Sequence, residues 1–160
     1  MALRKPIVIV NGQMQQLQSG DTLDASANEV DVVDMTNNNA SPIVIGNTVF
    51  CDAAGGVDLA QANAAGTVEV LGFVKPTSIA AASSGSIQTD GILAATTVQW
   101  DAVAGTTGGL TPGTVYYLDP TTPGNITETA PTSGGQYVIR VGKAIRTTEL
   151  EISITEPILL

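Results

Sequence analysis

The 160-residue sequence contains no histidine. Histidine is the commonest general base near neutral pH and a frequent zinc ligand, so its absence removes His-dependent catalytic triads and nearly all zinc sites. No segment reads GxxxxGK[ST], and the Gly-rich stretch at 105–113 is typical of turns rather than of a phosphate-binding loop. We therefore expect a protein that is not an enzyme and that needs no cofactor.

Positive charge is scarce. The chain has 6 Lys and Arg against 15 Asp and Glu, a formal net charge of -9. So acidic a chain repels phosphate backbones, and we expect no nucleic-acid partner. The few cations fall at the N-terminus, in the middle and near the end of the chain: Arg4, Lys5, Lys75, Arg140, Lys143 and Arg146.

Cysteine and long apolar runs are also rare. The single cysteine, Cys51, cannot form an internal disulfide, which indicates synthesis in a reducing cytoplasm. Beside Phe50 it is expected to be a buried, inert small hydrophobe. The apolar run at 7–10 is too short for a signal peptide, and no run approaches the ~20 residues of a membrane span. We expect no membrane partner.

Short strands are the main pattern present. Glu149, Glu151 and Ser153 alternate with apolar neighbours, the period-2 signature of a half-buried strand. Gly and Pro interrupt most windows that could hold a helix. The predicted strands are 30–35, 48–51, 57–60, 68–74, 86–89, 98–103, 115–118, 136–141 and 150–155. This spacing predicts an all-β fold, a small β-barrel or β-sandwich.

The N-terminal region reads as a separate arm. Asn11-Gly12 lies between the runs 7–10 and 13–17, the strongest short-range signal for a two-residue hairpin. A polar loop at 36–41 then ends at Pro42. The predicted organisation is an N-terminal arm with a hairpin at 1–41 and a β-domain at 42–160.

Carboxylates offer two candidate sites, each with a simpler structural interpretation. Asp101 and Asp119 lie near aromatic residues, as a glycosidase acid pair can. However, Asp119 precedes Pro120 in a turn that Asp stabilises, and Asp101 continues the polar face of the predicted strand 98–103. The acidic set at 21–34 lacks EF-hand spacing, so we expect a solvated surface rather than a calcium site.

The aromatic residues are expected to be anchors. They make up only 4% of the chain, so association between copies is expected to add stability, and a homotrimer is the predicted state. Tyr116 and Tyr117 are adjacent in a strand and must point to opposite faces. Both are candidates for the oligomer interface, and the outward one is the better candidate. Among these two and Trp100, at least two are expected in the core.

The fragments GNTVFCDA, from Gly46, and GTVYYLDP, from Gly113, both run from a turn through a short strand to an Asp-containing turn. They are weak evidence of an internal repeat. Turn chemistry alone can also produce this similarity.

Segments of the last third resemble a small β-domain of tailed-bacteriophage virion proteins, namely capsid decoration (cement or head-fibre) proteins and tail-fibre proteins. The resemblance is carried by GLTPGTVYYLDPTTPGNITETAP, GQYVIRVGKAI and the terminal EPILL. GNTVFCDAAGGVDLAQA and LGFV resemble its opening strands, and KPIVIVNGQMQQLQSGDTL resembles the leader of phage structural proteins. That family supplies no catalytic or carbohydrate-site residues to transfer.

The resemblance implies a virion protein, made in the host cytoplasm, that binds the major capsid protein on the outer capsid surface and stabilises the shell. The alternative is a tail-fibre or receptor-binding component that contacts host glycan, although the short chain lacks a long repetitive shaft. Under the first interpretation the capsid-binding residues lie in the arm, with charge from Arg4 and Lys5 and apolar contact from Ile7, Ile9 and Leu17. The alternative for the hairpin is that it folds back onto its own β-domain.

Overall fold

The computed structural model describes residues 31–160 and the backbone of residues 7–10 and 13–16. Within these residues the chain forms sixteen strands and one helix. The first nine strands are β1 (Ile7–Val10), β2 (Gln13–Gln16), β3 (Val32–Thr36), β4 (Ile43–Val44), β5 (Thr48–Cys51), β6 (Val57–Leu59), β7 (Val70–Val74), β8 (Ser78–Ile79) and β9 (Ser84–Gln88). They are followed by β10 (Ile92–Ala94), α1 (Thr97–Ala104), β11 (Val115–Leu118), β12 (Ile126–Thr127), β13 (Tyr137–Val138), β14 (Arg140–Arg146), β15 (Glu149–Ile152) and β16 (Ile158–Leu159).

Most strands belong to two antiparallel five-stranded sheets, in the orders β3-β9-β7-β5-β6 and β10-β15-β14-β11-β12. Three two-stranded ribbons accompany them: β1-β2, β4-β8 and β13-β16. The all-β class predicted from the spacing of Gly and Pro is confirmed. The predicted strands 48–51 and 115–118 coincide with β5 and β11.

One predicted strand is wrong. Residues 98–103 lie in helix α1 rather than in a strand. Thr96 caps the helix by accepting a hydrogen bond from the backbone N–H of Gln99, whose side chain in turn accepts from the Thr96 N–H. Gly105, at φ 64°, ends it in the left-handed conformation. The alternation of Val98 and Trp100 resembles a strand, but these two caps fix one short helix.

The N-terminal hairpin is confirmed as an antiparallel pair, with Ile7 opposite Gln16 and Val10 opposite Gln13. The turn at Asn11-Gly12 lies outside the described residues. Strand β3 falls within the predicted arm 1–41, yet it pairs along its whole length with β9. Residues 32–36 are therefore part of the first sheet.

Two apolar clusters form the core. The smaller lies on one face of the first sheet, under the ribbon β4-β8, and its fully buried members include Ile43, Val49 and Val74. The larger joins the other face of that sheet, through Phe73, to the interior of the second sheet and to Trp100 of helix α1.

The two large sheets are built to one plan. When the five strands of each sheet are numbered in sequence order, both sheets have the spatial order 1-5-4-2-3. The strands from β3 to β9, residues 32–88, form what we call the first unit, and those from β10 to β15, residues 92–152, form the second unit. The registers match as well: Val33 pairs with Ile87 as Leu93 pairs with Leu150.

Hydrogen bonds outside the ladders repeat in the same way. The N–H of Gly46 donates to the Val74 carbonyl at 3.0 Å, and that of Gly113 donates to the Ala144 carbonyl at 2.8 Å. Both glycines have positive φ, at 85° and 84°. The internal repeat suggested by GNTVFCDA and GTVYYLDP is thus a repeat of structure, with Gly46 equivalent to Gly113.

The same irregularity interrupts both units. Val49 pairs with Gly72 and Phe50 with Val70, so one extra residue bulges from β7. Tyr116 pairs with Gly142 and Tyr117 with Arg140, which places the equivalent bulge in β14. Position by position, Phe50, Val70 and Phe73 of the first unit therefore correspond to Tyr117, Arg140 and Lys143 of the second.

Candidate interaction surface

The residues predicted to bind a capsid lie outside the part of the chain whose side chains are described. Arg4, Lys5 and Leu17 are not described, and Ile7 and Ile9 are placed only as backbone in β1. Their role stays a prediction.

The two adjacent tyrosines point to opposite faces, as strand geometry requires. Tyr116 is fully buried in the core of its own chain, together with Trp100, so both are core anchors. This corrects Tyr116 as an interface candidate, because a side chain covered by its own fold has no surface to offer. Tyr117 is half-buried on the other face and remains the interface candidate.

Tyr116 is held by a small polar network. Its hydroxyl donates to Glu128 Oε1 at 2.6 Å and accepts from the Thr111 N–H at 2.9 Å. Burial, followed by the hydrogen bond to Glu128, raises the pKa of Tyr116 above its ordinary value. Hydrogen bonds from Thr111 and Tyr116 lower the pKa of Glu128. The network ties the loop at 111 to the edge of the second sheet.

The outward side of the second sheet carries Tyr117 and two of the described cations. Val115, Lys143, Glu151 and Ile92 lie opposite one another in a row across four strands, and Tyr117 pairs with Arg140 in the neighbouring row. We call these six residues the outer face. Lys143 and Glu151 are exposed, and Ile92 is 38% exposed.

Exposed apolar groups occur at several further places, including one groove and one ribbon. A groove of about 280 Å³ lies between helix α1 and the β4-β8 region, and it is lined by Val44, Ile45, Thr77, Val98, Gln99 and Ala102. In the ribbon β13-β16, Ile158 and Leu159 are 62% and 61% exposed. Both features are apolar surfaces suited to contact with a partner rather than to catalysis.

The two carboxylates considered for catalysis serve as turn acceptors. Asp119 Oδ1 accepts from the Thr121 and Thr122 N–H groups, which agrees with the predicted turn. Asp101 lies in α1, not on a strand, and accepts from the Gly109 N–H at 2.7 Å and the Gly108 N–H at 3.0 Å. The bond from Gly109 contributes most to lowering the pKa of Asp101. Both side chains are used to close loops.

Cys51 is exposed, and the expectation of a buried thiol is wrong. It is the last residue of β5 and lies close to the exposed turn residues 53–55. Among residues 31–160 no cluster of three or more His, Cys, Asp or Glu is placed to hold a metal ion.

A scan against protein-family models found no match, and neither did a search of curated proteins. In the described part of the chain no helix is long and apolar enough to cross a membrane.

Proposed function

We propose that this chain is a structural protein of a tailed-bacteriophage virion, which binds the outer surface of the capsid and stabilises the shell by bridging capsid subunits. The observation that carries the proposal is the resemblance of GLTPGTVYYLDPTTPGNITETAP and GQYVIRVGKAI to the β-domain of such proteins. The all-β architecture and the structural use of Asp101 and Asp119 are consistent with a binding role rather than a catalytic one. The partner is the major capsid protein, and the protein itself is a homotrimer.

The N-terminal arm makes the capsid contact in this proposal. Its hairpin carries the apolar strand IVIV next to Arg4 and Lys5, on a chain of net charge -9. A two-stranded hairpin is marginal alone in water, so a neighbouring surface is needed to order it. An extended segment that adds strands or backbone hydrogen bonds to a capsid subunit supplies this contact. Because many copies bind one lattice, a modest affinity at each site is sufficient.

The same resemblance supports a second candidate, a tail-fibre or receptor-binding component that contacts host glycan. The feature that favours it is the outer face, where half-buried Tyr117 lies between Arg140 and Thr127. Aromatic rings with polar neighbours suit contact with a sugar.

Sedimentation of the purified protein with empty capsids of the phage that encodes it separates the two candidates. A capsid protein pellets with the capsids, saturates at a fixed ratio of copies to subunits, and raises the temperature at which the shells rupture. A tail protein stays in the supernatant and instead binds cells or extracted surface glycan of the host. Absence of the protein from the capsid pellet would contradict the proposal.

A further inference from the structure

The two units of the chain are packed against each other in an unsymmetrical way. The face of the first unit that carries Phe50, Val70 and Phe73 packs in the large core cluster, most of whose members come from the second unit. Phe73 is fully buried there, and Phe50 and Val70 are partly buried. Four backbone hydrogen bonds join the units along what we call the seam: Gly124 N–H to the Ala60 carbonyl at 2.7 Å, Thr48 N–H to the Gly124 carbonyl at 2.8 Å, Ala62 N–H to the Asp119 carbonyl at 3.1 Å, and Tyr137 N–H to the Ala62 carbonyl at 2.9 Å. The first unit thus receives the turn 119–124 of the second.

The second unit has the equivalent face, which is the outer face. Tyr117 stands where the first unit has Phe50, Arg140 where it has Val70, and Lys143 where it has Phe73. The first unit has a shorter counterpart of the turn 119–124, in which the Gly55 N–H bonds to the Asp52 carbonyl of the same turn. Asp52 and Asp119 occupy the same place, their N–H groups close the turn by bonding to the carbonyls of Gly56 and Asn125, and each side chain accepts from the turn that follows.

We propose that the outer face binds a second copy of this chain head to tail, with the turn 52–56 of the second copy seated where the turn 119–124 sits inside the chain. The contact between copies then covers the face that is equivalent to the one covered inside the chain. It does not repeat every hydrogen bond, because Pro131 stands in the place of Ala62 and has no N–H to donate. Because such a contact uses two different surfaces, it continues from copy to copy and closes into a ring when the rotation allows. A ring of three chains contains six units. The inference concerns contacts among copies of this chain, and it holds whether or not the protein binds a capsid.

Charge supports a second copy as the occupant. The chain carries -9 overall, so two copies repel each other at most orientations. The strand β14 places Arg140 and Lys143 on the outer face, whereas its third cation, Arg146, is paired with Glu149 of its own chain. The turn proposed to meet the outer face contains Asp52, and Asp58 follows in the next strand. The replacement of Val70 and Phe73 by cations also makes this contact more polar than its equivalent inside the chain, as suits separable copies.

Site-specific crosslinking tests the geometry. The wild-type chain has one cysteine, Cys51, which is exposed and borders the turn. A differently tagged chain carries C51S and T129C, because Thr129 is exposed and is the equivalent of Ala60, the residue that receives Gly124 in the seam. With a short bis-maleimide, the mixture is expected to give mainly products that join the two kinds of chain. Products joining only like chains, or no products, would overturn the head-to-tail contact.

A charge-reversal pair tests the same surface without a new cysteine. Lys143→Glu is expected to raise the dissociation constant of self-association at least tenfold, measured by sedimentation velocity, whereas Lys75→Glu, the same change at another exposed lysine, leaves it within about twofold. A wild-type protein that stays monomeric at high concentration contradicts the proposal. If the wild type is monomeric and Lys143→Glu loses capsid binding instead, the outer face belongs to the capsid protein, which also overturns it.

Discussion

At the scale of single residues, two glycines set the distance between neighbouring strands. A Cβ added to Gly142 would lie 2.6 Å from the backbone carbonyl oxygen of Glu151, and one added to Gly72 would meet that of Gln88. Both contacts are with backbone, which cannot rotate away. The glycines stand beside equivalent bulges and leave room for the adjacent strand.

Substitution of Gly142 by alanine is therefore expected to be costly. The clash requires strands β14 and β15 to separate, and we expect a loss of about 1–3 kcal/mol in the free energy of unfolding. Gly134→Ala is the control, because no atom lies within 4 Å of its added Cβ, and its effect is expected to stay within about 0.5 kcal/mol. Urea unfolding measures both. Equal stability of the two variants would show that the strands tolerate the methyl group.

The hydroxyl of Tyr116 is expected to contribute to the stability of the fold, whereas that of Tyr117 is not. Tyr116→Phe removes the bond to Glu128 and leaves the Thr111 N–H without its acceptor, which is expected to cost about 1–2 kcal/mol. Tyr117→Phe removes a hydroxyl that makes no hydrogen bond among the described residues, so its unfolding midpoint should match the wild type. Identical midpoints for both variants would contradict the role of the network.

The lowered pKa of Glu128 predicts a pH dependence. A carboxylate whose pKa falls below its ordinary 4.5 on folding stabilises the fold above that value, and this contribution is lost as pH falls through the lowered pKa. The stability of the wild type should therefore fall more steeply than that of Glu128→Gln between about pH 5 and pH 3. Unfolding midpoints across that range measure the difference. Parallel profiles would exclude a contribution from Glu128.

Residue roles that depend on local sequence were predictable, and those that depend on tertiary cover were not. The turn at Asp119 follows from Asp before Pro, because its partners lie two and three residues away. The opposite directions of Tyr116 and Tyr117 follow from strand geometry, but which of the two is buried depends on helix α1 and on the second sheet. The exposure of Cys51, at the end of β5, likewise depends on packing between elements.

At the scale of elements, helix α1 shows how caps override a misleading period. The alternation of Val98 and Trp100 suggests a strand, in which both side chains would lie on the same face. In the structure Val98 is 75% exposed and Trp100 is fully buried, so they lie on different faces of the helix. The sequence signal was present: Thr96 precedes Gln99 by three residues, and Gly105 follows the last turn. Strands β5 and β11 were predictable because turns bound each closely and β-branched or aromatic residues fill them.

Removal of the N-cap is expected to destabilise this helix. Thr96→Ala deletes the acceptor of the Gln99 N–H and should cost about 1 kcal/mol, whereas Thr96→Ser keeps the hydroxyl and should restore most of it. Hydrogen exchange of the amides at 99–101 locates the effect to the helix. Unchanged protection in Thr96→Ala would show that packing of Trp100 alone holds the helix.

At the scale of the whole molecule, most of the described chain forms two units that share one strand order, one bulge position and the closing hydrogen bonds of Gly46 with Gly113 and of Asp52 with Asp119 as equivalents. The sequence shows only a trace of this repeat, because most equivalent positions differ in type, as Phe73 and Lys143 do. Strand pairing does not require particular side chains, so backbone registers can match where side chains do not. The first unit begins at β3, within the region that the polar loop before Pro42 assigned to the arm.

We propose that the duplicated body carries the contacts between copies and that the N-terminal arm carries the contact with the capsid. The most direct test is co-sedimentation of empty capsids with the full chain and with a chain that lacks residues 2–20. We predict that the shortened chain keeps a β-rich circular dichroism spectrum and cooperative unfolding, and that it remains in the supernatant while the full chain pellets. A folded, shortened chain that still pellets with capsids would contradict the account, and one that fails to fold would place the hairpin on its own body instead of on the capsid.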